Sequence, residues 1–462
     1  MKRKLNVSAA LATTAAVALL AGAAHAQMSG APQVCSTTVI SPAHQDCVMP
    51  TAAAPGGGSF PGSFLVPGTN TSLAVHGYVQ VDIQHYMGPH QYEFSEAAPL
   101  EGPGITNATS QAYALNGGTS MFVNATRPNI ESRTPTAYGE LKTYIEFDFN
   151  QTGTATLAGN NDLLRLRQAY GTLGPWLIGQ TYSLFADAQA YADTANGNQD
   201  VGMMVTANVR RPMVRYTWLA GNGLSIAGSA EMPTFPGQVA ATVGTNTAVA
   251  PTSVTYSGTG VYYNWPRFIV APELDRPWGH VKLAVGAGMT DVRENNVTAG
   301  GTTLTPNRQV GDWAATLSGH LNTWGKDALR GGITYNYGAA DLNSWISQGS
   351  WVENTSTGTV KIQKAISFYA NYEHFFNGQW RANASGGWMS VSGNPYSVAC
   401  TSGTACPQAS LVKKILSTEV NVIYSPVPQT DFIFEWMHGY RQMQSSANGT
   451  VNAVETQFKF YF

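Results

Sequence analysis

Leu163-Leu164-Arg165-Leu166-Arg167-Gln168-Ala169-Tyr170-Gly171-Thr172-Leu173-Gly174-Pro175-Trp176-Leu177-Ile178-Gly179-Gln180-Thr181-Tyr182-Ser183-Leu184-Phe185-Ala186-Asp187 reads as a strand, a Gly-Pro turn and a second strand that opens into a long polar segment. Alternation places Leu164, Leu166 and Tyr170 on one face and Arg165 and Arg167 on the other. A lipid-facing arginine at mid-bilayer depth costs roughly 2–4 kcal/mol in a barrel strand. In a membrane, the leucines must therefore face lipid and the arginines must face inward.

Outward from that stretch, the chain begins Met1-Lys2-Arg3-Lys4, continues with an apolar run from about Val7 to Ala24, and reaches Ala24-His25-Ala26 before Gln27. A basic start, a short apolar core and an A-x-A site read as a secretory signal over 1–26; the alanine-rich run is short for a membrane anchor. Its removal leaves 22 basic against 27 acidic residues, a net charge of −5. Charged residues make up 11% of the chain, well below the roughly 25% of soluble domains. After residue 26 no stretch approaches the roughly 20 apolar residues of a membrane helix. An exported chain of this kind is a soluble β-protein or a membrane β-barrel, and periodicity decides which.

Residues 27–72 do not have a barrel pattern. They hold Cys35, Cys47 and the linker-like run Ala52-Ala53-Ala54-Pro55-Gly56-Gly57-Gly58-Ser59. From Leu73 to 462 the chain alternates with period two. Val75, Val79, Val81 and Ile83 oppose His76, Tyr78, Gln80 and Asp82. Leu141, Ile145, Phe147 and Phe149 oppose Lys142, Tyr144, Glu146 and Asp148. Similar stretches recur near 280–290, 312–321, 366–373 and 432–439, where Ile433 breaks the polar face. Short turns near 134–139, 174–175, 220–223, 274–279, 322–327, 376–379 and 425–430 alternate with long polar segments near 88–118, 150–162, 183–206, 232–259, 292–309, 340–363, 391–410 and 442–451. This predicts an all-β fold: a transmembrane antiparallel barrel of about sixteen strands, with short periplasmic turns and long extracellular loops in the outer membrane. A soluble sandwich would not sort its loops by end.

The chain closes on Val454, Phe458, Phe460 and Phe462 facing out, with Glu455 and Lys459 facing in. A terminal amphipathic strand ending on Phe462 resembles the signal read by barrel-assembly machinery. That topology places Cys35 and Cys47 on the periplasmic side and Cys400 and Cys406 in an external loop, so of the three pairings the local pairs 35–47 and 400–406 are favoured.

About sixteen strands leave an aqueous lumen. The inward parity carries Arg127, Arg133, Lys142, Arg165, Arg167, Arg211, Arg215, Arg330, Arg381 and Arg441, while Arg210 has the wrong parity and belongs to a rim or a bulge. Some of these pair with Glu131, Glu140, Glu146 and Asp148 and merely solvate the wall. Since wet pairs gain under about 1 kcal/mol, pairing alone is a weak reason for so many arginines. A cationic wall that concentrates small anions, faced by Asp82, Glu231, Glu373, Glu419 and Glu455, is the functional reading. There is no HExxH, GxSxG, P-loop or Cys/His cluster with ligand spacing, so the sequence predicts neither enzyme, cofactor, metal centre nor nucleic-acid partner.

Several stretches carry a family resemblance. Gly62-Ser63-Phe64-Leu65-Val66-Pro67-Gly68-Thr69-Asn70-Thr71-Ser72 with Gly77-Tyr78-Val79 is one, and Ser132-Arg133-Thr134-Pro135-Thr136 with Tyr138-Gly139-Glu140-Leu141-Lys142-Thr143 is another. Leu164–Gly171, Trp176–Ser183, Arg210-Arg211-Pro212 with Arg215-Tyr216-Thr217, and Val422–Pro428 continue it. Over roughly 62–462 the chain resembles the DcaP-like porins. The resemblance implies a homotrimeric, anion-preferring diffusion porin for small carboxylates, with outer-membrane lipid around it and the arginines above along the anion path. General porins fold the loop at this point into the barrel, so Asp187, Tyr191 and Asp193 in the segment 183–206 are expected at a constriction facing the arginines, the alternative being an external loop. Family members can carry a coiled-coil segment before the barrel; here a Cys-bearing, Pro/Gly-rich segment stands instead. Readings from other classes are a barrel enzyme and a structural or adhesive barrel with a plugged lumen.

Overall fold

In the computed structural model the described residues are 57–87, 119–152, 162–195, 204–205, 209–233, 259–262, 265–294, 297–299, 302–304, 307–343, 351–354, 359–392, 412–443 and 448–462. The signal segment 1–26 and all four cysteines, Cys35, Cys47, Cys400 and Cys406, lie outside them.

The alternating stretches form β1 (Ser72–Tyr86), β2 (Thr119–Phe122 continued by Arg127–Thr136), β3 (Gly139–Thr152), β4 (Asp162–Leu173), β5 (Trp176–Tyr182), β6 (Arg210–Gly221), β7 (Leu224–Glu231) and β8 (Thr259–Tyr262 continued by Arg267–Arg276). They continue with β9 (Gly279–Glu294), β10 (Asn307–Asn322), β11 (Ala328–Tyr337), β12 (Lys364–Phe375), β13 (Trp380–Val391), β14 (Val412–Tyr424), β15 (Thr430–Met443) and β16 (Asn448–Tyr461). Each strand pairs antiparallel with its sequence neighbours, and β16 returns to β1 in the register Tyr78↔Tyr461 to Tyr86↔Ala453. The result is a closed sixteen-stranded barrel. Closure matters because an open edge in hydrocarbon would leave a row of backbone donors and acceptors without partners.

The two ends differ as the loop lengths require. The short turns lie at 137–138, 174–175, 222–223, 277–278, 323–327, 376–379 and 425–429, all at one end. The outer surface is apolar: Leu164, Leu166, Ile178 and Trp218 are all more than half exposed. Aromatic side chains gather at the short-turn end, where Trp176 meets Tyr216 edge-on (centroids 4.9 Å apart) and Trp380 stacks on Tyr424 (4.4 Å). Such girdles mark the lipid–water boundary.

One register shift corrects the sequence reading. Between β3 and β4, Glu146 pairs with Gln168 but Phe147 pairs with Leu166, so Arg167 is an extra residue in a β-bulge. Arg167 and Gln168 both turn inward and the parity beyond them flips. Tyr170, expected beside the leucines, is therefore buried in the lumen against Tyr144, with ring centroids 5.4 Å apart. Gln180, on the neighbouring strand, donates its Nε2 to the carbonyls of Leu166 (3.3 Å) and Arg167 (3.0 Å), repairing the ladder that the bulge interrupts. Opposite Tyr170, Gly179 has φ of 137°, and a Cβ there would lie 2.3 Å from the Ala169 carbonyl oxygen. Only glycine fits.

Candidate functional site: the lumen

On the wall formed by β2 to β6, four guanidiniums surround two carboxylates. Asp148 takes a two-point ion pair from Arg165 (Nε 2.8 Å, Nη2 2.6 Å) and a further bond from Arg167 Nη1 (2.5 Å). Glu146 accepts from Arg167 Nε (2.9 Å) and from the Tyr144 hydroxyl (3.0 Å). Arg127 stands 4.0 Å from both acids. The Tyr182 hydroxyl accepts from Arg167 Nη2 (3.1 Å) and from Arg210 Nη1 (3.3 Å), which draws Arg210 over the Tyr182 ring. Arg210, the first residue of its strand, thus joins the cluster despite its parity. Nearer the short-turn end, Glu131 binds Arg133 Nε (2.6 Å) and Lys142 Nζ (3.1 Å), and the Arg133 guanidinium covers the Phe60 ring at 4.5 Å. Fixed, dry carboxylates hold Arg133, Lys142, Arg165 and Arg167 rigid, since each of these cations has an acid that compensates its desolvation.

The opposite side is lined by two chain segments that leave the loops and run along the inner wall. The first, 183–195, is tied at every step. Glu231 Oε1 accepts from the Leu184 amide (2.7 Å), and Lys282 Nζ donates to the Ala186 carbonyl (2.8 Å). Asp187 caps the 3-10 turn Ala188–Ala190, accepts from Ser318 Oγ (2.6 Å) and lies 3.3 Å from His280 Nε2. Further on, Arg381 Nη2 binds Asp193 (3.2 Å), Asn421 donates to the Asp193 carbonyl (2.6 Å), Glu435 accepts from the Ala195 amide (3.0 Å) and Gln457 donates to the Ala195 carbonyl. The second segment carries the 3-10 turn Ala340–Leu342. Arg267 clamps Asp341 at two points (Nη2 2.7 Å, Nε 3.0 Å) while its Nη1 reaches Asp312 at 2.5 Å, and Arg211 Nη2 binds Asp341 from the other side at 2.8 Å. Burial alone would raise the Asp341 pKa; the two guanidiniums outweigh it and hold the carboxyl below its ordinary range. In the turn before β11, Asp327 is likewise lowered: slight burial works upward, but the Phe375 amide, His374 and Tyr372 hydrogen bonds prevail.

Packing explains why the segments enter. Leu184, Phe185 and Leu342 fill a hollow over the inward Ala227, Ile269, Ala271, Ala284 and Ala314, while Ala195 sits on Ile423 and Ile433. Met204 joins Met389, Ile415 and Met437. Small or apolar residues on the inward parity would be wasted against water; here they receive the incoming chain.

The cations nominated from sequence thus separate. Arg127, Arg133, Lys142, Arg165, Arg167 and Arg215 share one wall with Arg210. Arg211 is fully buried beneath Asp341, Arg381 is buried between Asp193, Asp431 and Glu373, and Arg330 binds Glu373 at 2.7 Å. Asp187 meets His280 and Ser318 and not an arginine, Asp193 meets Arg381, one of the nominated arginines, and Tyr191 is buried. Arg267, Asp312, Asp341, His280 and Lys282 were not foreseen as anchors. For Arg267 the available signal was its inward parity, masked by an inward face otherwise made of Ile269 and Ala271.

Known proteins share this architecture. The profile of the porin subfamily matches residues 61–460. Porin Omp2a of Brucella canis is 30% identical over 168 residues, which cover 36% of this chain and 42% of that protein, so the match spans under half of the relative. Among solved structures, the outer membrane channel DcaP of Acinetobacter baumannii superposes with a TM-score of 0.65 at 16% identity, covering 86% of this chain and 99% of that one. An anion-selective porin from Comamonas acidovorans gives 0.51 at 10% identity, covering 85% and 100%. At such identities the superpositions establish the fold, and the profile establishes the family. The chain belongs to the porin subfamily and is a β-barrel porin of the Gram-negative outer membrane.

Proposed function

We propose that this porin is a passive diffusion channel for small hydrophilic solutes that prefers anions such as carboxylates, and that it performs no catalysis. The observation that carries the reading is the excess of four guanidiniums, Arg127, Arg165, Arg167 and Arg210, over two carboxylates, Glu146 and Asp148, on one lumen wall. A confined, water-filled passage with a low-dielectric wall amplifies such an excess and raises the local anion concentration. The Comamonas porin described as anion-selective has the same fold. Arg133, Lys142 and Arg215 extend this wall, and the segment bearing Asp187, Tyr191 and Asp193, tied down by Arg381, acts as the constriction by occupying the facing side.

The flanking assignments follow the same reading. Residues 1–26 are a secretory signal, 27–72 a periplasmic segment and 73–462 the barrel, with disulfides 35–47 and 400–406. The family resemblance supports a homotrimer in outer-membrane lipid, assembled through the strand ending at Phe462. Because two segments occupy one side of the lumen, a plugged structural barrel is the second reading. Liposome swelling separates them. Proteoliposomes should admit small monocarboxylates faster than uncharged or cationic solutes of equal size; no swelling with any solute would favour the plugged barrel, and faster entry of cations would refute the anion preference.

A further inference from the structure

We infer that anion selectivity is set chiefly by Arg210 and Arg215, two cations on β6, and less by the more conspicuous Arg165 and Arg167. The inference rests on the anion-preferring reading above and specifies which residues produce it.

A guanidinium held against a carboxylate at 2.5–2.9 Å presents a passing ion with a dipole, whose field falls off faster than that of a bare charge. Arg165 and Arg167 are held in this way, as are Arg133, Arg211 and Arg330, while the Lys142 ammonium lies 3.1 Å from Glu131 and the Arg381 guanidinium 3.2 Å from Asp193. Arg210 differs. Its hydrogen-bond partner is the neutral Tyr182 hydroxyl, its charged neighbours include the cations Arg165 and Arg167, and Glu146 acts on it without an ion-pair contact. Arg215 makes no hydrogen bond or ion pair with the described residues, and its buried Nε has no acceptor. It lies across from Leu177 and Ser229, beside the lumen patch of Tyr144, Tyr170, Leu177 and Met213, and the acids whose charge it feels, Glu231 and Glu273, make no ion pair with it among the described residues. Both side chains are half-buried rather than sealed, so water and ions reach them. Arg211 and Arg267, by contrast, are sealed from water.

The two positions are five residues apart on one strand, about 17 Å along it. That separation is about twice the screening length at physiological salt. Each cation therefore governs its own stretch of the path, and an anion passes them in succession.

The test is the chloride-to-potassium permeability ratio from reversal potentials of the full-length protein in planar bilayers, with heat-modifiable gel migration verifying a folded barrel. R210Q and R215Q should each lower the ratio about two-fold or more. The double variant should multiply the two effects, and R210K and R215K, which keep the charge, should retain the wild-type ratio. The inference is overturned if the wild type prefers chloride but both Gln variants conduct with an unchanged ratio, or if the Lys variants fall as far as the Gln ones. A wild type with no anion preference overturns the functional reading and this inference together.

Discussion

Arg267 and Asp341 form a two-point ion pair, Nη2 to Oδ1 at 2.7 Å and Nε to Oδ2 at 3.0 Å, that fastens the segment around Leu342 to the start of the Arg267–Arg276 part of β8. The pair is sealed from water, and Arg211 binds the same carboxylate from β6. Breaking a buried pair by removing one member costs about 3–5 kcal/mol, because the partner charge stays behind. D341N should therefore loosen this segment and increase open-channel current noise at neutral pH, and unchanged noise would show that the clamp does not hold it.

Acid should do the same reversibly. The Asp341 carboxyl is held below the ordinary carboxylate range by Arg267 and Arg211. Its stabilisation is complete above the unfolded value and is lost as pH falls through the lowered folded value. Channel noise should be flat from neutral pH to about 5 and rise only in stronger acid, and D341N should abolish that rise. A transition near neutrality would implicate another group.

Phe185 fills the hollow over Ala227, Ala271, Ala284 and Ala314, with no exposure to water. Truncation of such a side chain costs about 3–5 kcal/mol. F185A should destabilise the inward segment, and mean single-channel conductance should increase. The barrel ladder does not use this side chain, so its thermal unfolding should change little.

Gly179 predicts the opposite pattern. With φ of 137° and only 2.3 Å between a Cβ and the Ala169 carbonyl oxygen, G179A forces the β4–β5 ladder apart. Heat-modifiability should be lost at a clearly lower temperature. An unchanged unfolding temperature would mean the ladder can relax around a methyl group.

The fold was legible because lipid permits only one orientation of a strand such as β4, and because loop length sorts by end. What misled was local. Placing Tyr170 outward assumed a constant period, and the bulge at Arg167 breaks it without any glycine or proline to announce it. The docking of the inward segment did have a sequence signal: Ile433, the apolar residue on a polar face, is where Ala195 lands. Ile269, Ile423 and Met437 are apolar on the same inward parity, and they too lie under inward chain. Pairing was the least legible feature. Asp341 belongs to a loop far in sequence from Arg211 and Arg267, and no spacing rule connects them.

The sign of the lumen's selectivity decides the proposed function. The direct measurement is the zero-current potential of the wild-type channel in a planar bilayer with a potassium chloride gradient. The arginine wall predicts a potential of the sign set by preferential chloride passage, shrinking as salt is raised and the charges are screened. A potential of the opposite sign, set by potassium, would contradict the account.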